Sequence, residues 1–385
     1  MSLLDVKHQT GAQEALQRAL AGDRLPHAYI FHGPDGVGKE LLATELAGRL
    51  LCEHPIEENL EGDQAKAVGL TRLQTGCGKC EDCRAVGART HPDLFVVHRH
   101  LNREHPDPVI RNRKGLNLGI EVIRHFLIDK TVLTPVRGRG KVFVVRQADR
   151  ITPAAQNAML KTLEEPPPGV CIILLVGSMG RLLPTTLSRC QAVRFDALPT
   201  VFVVDKLREK APDLTAESAL WYARIGDGSV GKALEHVEEG LYEENGKLAT
   251  RLSRLHVDKR ALTPENLLEQ GKSMSGVYRK HDPEISDSEA TRRALKSLLA
   301  LMASWYGDVL RFAGGESTAL TNTALAKQIK ESAAHLTPEK AAQAIGRIAG
   351  CERQLDLSVN TQLCLDSLVI DLVHLSAAKN TAARR

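Results

Sequence analysis

A chain of 385 residues is too long for one compact hydrophobic core, so two or three domains are expected. Its hydrophobic share of 43% suits a soluble globular protein, and no stretch approaches the ~18–20 consecutive apolar residues of a membrane helix. The net charge of +4, from 51 basic and 47 acidic residues, neither requires nor excludes nucleic acid, because local patches decide that.

Residues Met1 to His8 show no basic segment followed by an apolar run, so no secretory signal is read there and a cytoplasmic setting is expected. Ala28-Tyr29-Ile30-Phe31 predicts a strand running into Gly33-Pro34-Asp35-Gly36-Val37-Gly38-Lys39, and Glu40 to Cys52 predicts the helix behind it. Gly33, Gly36 and Gly38 allow backbone N–H groups to close around phosphate oxygens, and Lys39 adds a point charge: the pattern of a nucleotide phosphate loop. The full pattern ends in Ser or Thr, whose hydroxyl binds magnesium, but here Glu40 follows the lysine. A carboxylate there can touch a metal and also repels a triphosphate. ATP binding therefore stays open, and efficient hydrolysis is not expected.

Cys77-Gly78-Lys79-Cys80-Glu81-Asp82-Cys83 spaces three thiols three residues apart, and Cys52 lies upstream. Four thiolates around one tetrahedral Zn2+ make a closed structural site with no position left for a catalytic water. His54 and His91 are the alternatives to Cys52 as fourth ligand. Cys171, Cys351 and Cys364 read as packing residues.

Leu94 to Val97 is strand-like, Ile120 to Ile128 helix-like, and Val142 to Val145 and Val170 to Val176 are the clearest strands. Thr152-Pro153 starts a helix with a hydroxyl cap and a first-turn proline; Ala155, Met159, Leu160 and Leu163 give it an apolar stripe, and Pro166-Pro167-Pro168 ends it. This alternation predicts a parallel sheet with helices on both faces. In a P-loop ATPase the strand corresponding to Val142–Val145 ends in two carboxylates, one for magnesium and one for the attacking water. Arg146 and Gln147 occupy those positions.

Beyond residue 198 strand-like runs nearly vanish, apart from the ambiguous Val201-Phe202-Val203-Val204, and helical periodicity dominates, as in Leu355, Val359, Leu363, Leu368 and Leu372. Residues 256–290 are polar with weak periodicity and are expected to be a linker or exposed insertion, and Lys379 to Arg385 a frayed tail. Arg111, Arg113 and Lys114, and Arg137, Arg139 and Lys141, either line a DNA-facing surface or are solvated loops. No aromatic interleaving for base stacking accompanies them, since aromatics are 4% of the chain. Trp221 and Trp305 read as core or interface anchors, and Asp5, Asp149, Glu164 and Glu165 are not taken as catalytic acids. Glu164-Glu165, before the prolines, is expected to shape a turn or an intersubunit contact.

Together these residues resemble the bacterial clamp-loader subunits, AAA+ proteins that open the sliding clamp of the replicative polymerase. The resemblance is carried by Pro26-His27-Ala28 and the phosphate loop, the cysteine cluster with His91-Pro92-Asp93, Asn157 through Thr162-Leu163-Glu164-Glu165-Pro166-Pro167, Leu182-Leu183-Pro184-Thr185 and Ser188-Arg189-Cys190-Gln191. It is strong over residues 6–198 and weaker through Gly228-Ser229, Ala233-Leu234 and Asn360 to Leu372. Arg146-Gln147-Ala148-Asp149 is similar to the delta-prime branch of the DNA polymerase III clamp-loader family, which lacks the catalytic carboxylates that the tau/gamma motor subunits keep. The phosphate loop is better preserved than in some members of that branch.

The resemblance implies an AAA+ P-loop core over 1–198 with a zinc module inserted at about 52–83, a helical lid over 199–243, and an all-α collar over 244–385 that includes the linker. It implies a hydrolysis-deficient subunit of a DNA polymerase III holoenzyme, with no independent ATPase activity, whose Arg189 acts in trans as an arginine finger. It also implies tau/gamma and delta subunits as partners, with the sliding clamp and primed DNA reached through the assembled complex. Two other readings stand beside it. One is an active tau/gamma-like ATPase in which Asp149 binds magnesium from a displaced position. The other is a zinc-bearing DNA-binding protein with a vestigial phosphate loop.

Overall fold

The computed structural model describes residues 6–22, 25–62, 65, 71–113, 115, 117–282, 285–315, 320–357 and 359–376, with the backbone alone at His281. Asp5, Lys114, the tail from Lys379, and parts of 53–76 and 256–290 lie outside the described residues. The chain divides into two compact units, Met1–Pro199 and Thr200–Arg385.

The first unit is built on a five-stranded sheet of β1 (Ala28–His32), β4 (Leu94–Val97), β5 (Lys141–Val145), β6 (Val170–Val176) and β7 (Gln191–Arg194), in the order β4-β5-β6-β1-β7. Every pairing is parallel, with Ile30 opposite Leu174, Val144 opposite Ile173 and Phe31 opposite Val193. A parallel sheet needs both faces covered, which explains why β5 and β6 are apolar without alternation. Ile30, Phe143, Val145, Ile172 and Leu174 share one core with Val122, Ile123 and Leu127 of α4 and Ala155, Met159 and Leu163 of α5. Here α4 is Ile120–Ile123, continued by a π turn over Arg124–Ile128 and by Asp129–Thr131, and α5 is Pro153–Glu164. Thr152 caps α5 by accepting the N–H of Ala155 at 3.3 Å. On the other face Tyr29, Phe31, Val144 and Ile173 are buried, and α2 (Lys39–Leu51) packs against β5 and β6. Helix α1 (Thr10–Ala21) lies near β7 and near the hairpin formed by β2 (Ile56–Asn59) and β3 (Arg72–Thr75). Helix α3 (Glu81–Gly87) carries the end of the cysteine cluster, and α6 (Pro184–Leu187) precedes Arg189.

The second unit is helical. Its α7 (Thr200–Lys210), α8 (Ala216–Ile225) and α9 (Val230–Glu238) pack on one another, and α10 (Leu241–Arg254) follows. The ambiguous Val201–Val204 run belongs to α7: Val203 and Leu207, four apart, are buried, while Val201 is exposed. The linker expected at 256–290 is largely a helix instead, α11 (Pro264–His281), opened by a reciprocal capping box between Thr263 and Asn266. Its buried face mixes Leu267 and Met274 with Gln270 and Ser275, so the apolar period is faint. Gly271 sits where a Cβ would come within 2.9 Å of Leu295, so glycine permits close approach to α12 (Asp287–Ala313). Around the 27-residue α12 pack α10, α11, α13 (Ala326–His335) and α14 (Pro338–Asp356), and α15 (Thr361–Ser376) packs on α11 and α14.

The helical periodicity read from Leu355 to Leu372 is divided between two helices. Helix α14 ends at Asp356 and α15 restarts in a new register, leaving Val359 and Leu363 exposed while Cys364, Leu365, Leu368, Val369 and Leu372 turn inward.

Trp221 and Trp305 are both buried, as expected of anchors. Trp221 belongs to a buried polar hub. Its Nε1 donates to Asn322 Oδ1 at 2.7 Å, and Asn245 Nδ2 donates to the same oxygen at 2.8 Å. Asp308, fully buried on α12, accepts the N–H groups of Thr321 and Asn322 and the Asn322 side-chain amide, and pairs with Arg311 at 2.8 Å. Among the described residues no helix is long and apolar enough to cross a membrane.

Candidate functional site

Where β1 ends, the chain turns through the phosphate loop into α2. Gly33, Gly36 and Gly38 all have positive φ, at 144°, 73° and 105°, so glycine is required for this path. At Gly33 a Cβ would lie 2.2 Å from the carbonyl oxygen of Phe195, so the loop presses directly on the chain leaving β7. Lys39 is buried and turned into the loop. Its Nζ donates to the carbonyl oxygens of Gly33 and Pro34 and lies 3.0 Å from Asp35 Oδ1.

The two substitutions read separately in the sequence meet in space. Glu40, where a hydroxyl is expected, accepts from the guanidinium of Arg146, which stands where a magnesium-binding carboxylate is expected. Arg89, beyond α3, reaches the same Glu40 oxygen at 2.8 Å. Arg146 itself is fixed by its backbone N–H, which donates to Val97 O at the end of β4. A carboxylate and a guanidinium thus fill the ground between α2 and β5 where a divalent cation would need oxygen ligands. Burial, and then the Arg146 charge, lower the pKa of nearby His98. Gln147 follows with a left-handed φ of 50°, and Asp149 lies on the turn Ala148–Arg150.

The cysteine cluster forms as expected. The Sγ atoms of Cys52, Cys77, Cys80 and Cys83 all lie within 4.8 Å of one another, with Cys52–Cys80 at 3.9 Å and Cys77–Cys83 at 4.0 Å. Zn–S bonds of about 2.3 Å in a tetrahedron put sulfurs about 3.8 Å apart, so the set fits zinc. Backbone amides prepare it: the N–H of Cys77 donates to Cys52 Sγ, that of Cys80 to Cys77 Sγ, and that of Cys83 to Cys80 Sγ, at 3.2–3.3 Å. The N–H groups of Lys79 and Cys80 pull the Cys77 thiol down to about 6, whereas burial pushes Cys52 and Cys83 up. Gly78, with φ 69°, makes the turn between the first two thiols.

Of the alternative ligands, His54 is exposed beside Glu53, and His91 accepts the N–H of Asp93 at 3.0 Å through Nδ1 and faces Asp82 through Nε2 at 3.3 Å. Cys52 completes the set. The other cysteines read as packing, Cys171, Cys351 and Cys364, are buried.

Two of the exposed basic residues also tie down this module. Arg137 pairs with Glu81 at 2.6 Å and Asp82 at 3.1 Å, and Arg139 donates to Glu53 O. Lys141 is buried, donating to Lys130 O and Leu133 O. Asp93, also buried, accepts the backbone N–H groups of Val136 and Arg137, both at 2.8 Å, and so ties the His91-Pro92-Asp93 segment to the same loop. Arg113 pairs with Glu121 at 2.9 Å, and both it and Arg111 are exposed. Arg189 projects beyond α6 and reaches back to Glu164 at the end of α5.

A five-stranded parallel sheet carrying a phosphate loop between its first strand and α2, followed along the chain by a helical unit, defines an AAA+ P-loop chain. The family model described as DNA polymerase III, delta subunit, matches residues 8–199, and a second, for the C-terminal part of the delta subunit, matches 289–374. The chain is 30% identical over 253 residues to the DNA polymerase III subunit delta' of Pseudomonas aeruginosa, covering 66% of this chain and 68% of that one. It is 26% identical to the Bacillus subtilis delta' over 365 residues, 94% of this chain and 96% of the relative. The tau subunit of Escherichia coli is 29% identical over 255 residues, 64% of this chain and 34% of that protein. A solved gamma subunit-related protein of Thermotoga maritima covers 95% of this chain and 99% of its own at 18% identity, with a TM-score of 0.43. The chain belongs to the DNA polymerase III delta-prime family and is a clamp-loader subunit.

Proposed function

We propose that this chain is the non-hydrolysing delta-prime member of a clamp-loader ring that loads the sliding clamp onto primed DNA in the cytoplasm. The observation that carries the reading is the Glu40–Arg146 pair, which puts a guanidinium against the place where Mg·ATP would need a metal. A positive charge there opposes a divalent cation directly. Lys39, drawn onto its own loop and Asp35, supports the same reading.

In this role residues 1–198 form the core, 199–243 the lid, and 244–385 the collar that holds the ring together with tau/gamma and delta subunits. Zn2+ on Cys52, Cys77, Cys80 and Cys83 would close the 52–83 module as a structural cross-link. Arg189 would enter a neighbouring motor subunit's ATP site, where a guanidinium stabilises charge on the transferring phosphoryl group.

The test is ATP turnover by a complex reconstituted from this chain with motor and delta subunits. The chain alone is expected to be inert, and Arg189→Ala to lower clamp- and DNA-stimulated turnover. Hydrolysis by the isolated chain that is lost with Lys39→Ala would establish the motor reading instead.

A further inference from the structure

Arg189 is held by its own chain. Its Nε donates to Glu164 Oε1 at 2.7 Å and its Nη2 to the same oxygen, while Nη1 donates to Thr185 O at 2.8 Å and Ser188 Oγ at 3.3 Å. A guanidinium has five N–H donors, and these contacts use all but one of them, on Nη2.

Glu164 is the last residue of α5, where a carboxylate meets the negative end of the helix macrodipole. A cation laid against it relieves both, so the seat is an anionic one. A carboxylate oxygen and a phosphate oxygen make the same kind of charge-assisted bond to the Nε and Nη2 edge. The two cannot occupy that edge together. A guanidinium neutralised in this way also lacks the uncompensated charge that stabilises a transferring phosphoryl group.

We propose that Glu164 is a positioning residue that acts as a latch on Arg189, retracting it until a phosphate group from a neighbouring subunit's nucleotide displaces the carboxylate. The inference rests on the reading of Arg189 as a finger acting in trans. Both side chains are partly exposed, at 30% for Arg189 and 47% for Glu164, so the latch is weak. Exposed ion pairs bias an equilibrium by about two- to fivefold. That is enough to set a threshold, and too little to block assembly.

The experiment compares wild type, Glu164→Gln, Arg189→Ala and the double variant, each full-length in the reconstituted complex. ATP turnover and the KM for ATP are measured with and without clamp and primed DNA. Glu164→Gln, which keeps shape and removes charge, is expected to raise turnover in the absence of clamp and DNA by about two- to fivefold. It should lower KM and leave kcat with saturating clamp and DNA unchanged. In the Arg189→Ala background the same substitution should do nothing. If Glu164→Gln perturbs assembly, Glu164→Asp, which retracts the carboxylate by one methylene, is expected to show a smaller effect of the same sign. Unchanged or reduced basal turnover, or an increase that persists without Arg189, overturns the latch. Wild-type turnover in Arg189→Ala overturns the finger reading itself, whatever Glu164→Gln does.

Discussion

Replacing Asn322 with Ala removes the acceptor on which two helices of the second unit converge. Asn322 is 1% exposed, and its Oδ1 accepts from Trp221 Nε1 on α8 and Asn245 Nδ2 on α10. The substitution strands both donors away from water, and each stranded donor costs about 1–3 kcal/mol. Asp308 loses the side-chain amide and keeps the backbone N–H of Asn322 at 2.8 Å, so its share of the loss is smaller. The two donors sum to about 2–6 kcal/mol. For a unit of this size each kcal/mol lowers Tm by about 2–4 °C, so the transition should fall by roughly 10 °C.

Differential scanning calorimetry of the full chain reads this directly, and urea unfolding checks that the midpoint moves without the slope. Asn322→Asp is the complementary probe. It keeps an acceptor for Trp221 but sets a second carboxylate against Asp308 Oδ2, where the present amide lies at 2.7 Å. Like charges that close raise a carboxyl pKa, so this variant should regain stability as pH falls. A loss below about 1 kcal/mol in Asn322→Ala would refute the reasoning, because exposed hydrogen bonds cost no more than that.

Gly33→Ala should lose several kcal/mol, since its Cβ would fall 2.2 Å from the Phe195 carbonyl at a φ of 144°; a stable variant with unchanged Tm would contradict the loop path. Chelation, or Cys83→Ser, should release one zinc per chain by atomic absorption and expose the 52–83 module to limited proteolysis, while sparing the helical unit. His98 has a depressed pKa in the folded chain, so its neutral form supports the fold above the ordinary value of about 6.5, and that support is lost as pH falls below it. Because the Arg146 charge is its second cause, Arg146→Gln should raise the His98 ring pKa in an NMR titration and soften the acid-side loss.

Much of the first unit was legible because each of its signals is local. Glycines required by positive φ, a hydroxyl and proline at a helix start, and apolar runs bounded by turns report on the residue that carries them. The thiol spacing belongs to this class for Cys77, Cys80 and Cys83, which lie within one turn and a short helix. The fourth ligand was open between Cys52, His54 and His91. Its assignment depends on where the chain after α2 passes the cluster, a distance across residues 53–76 that no spacing records.

Other features were not legible for the same reason. The β2–β3 hairpin and β7 are short, carry few apolar side chains and gain definition from pairing. Helix α11 was hidden because it buries Gln270 and Ser275 and approaches α12 through Gly271, so its polar face looks like a loop until its neighbour is present. Arg137 and Arg139 do stay at the surface, but Lys141 is buried, and the acceptors of all three, Glu81, Asp82 and backbone carbonyls, lie far along the chain or in its turns, where no spacing records them.

By itself the sequence determined the strand–helix alternation, the phosphate loop, the thiol set to within one ligand, and the loss of the carboxylates after β5. These follow from local backbone chemistry and from periods of two and 3.6 residues. Tertiary structure alone decided that Glu40 and Arg146, more than a hundred positions apart, neutralise one another, and that Arg189 rests on Glu164. Opposite charges that meet only after the sheet closes leave no periodic trace in a chain. Their partners are set by where strands and helices end in space.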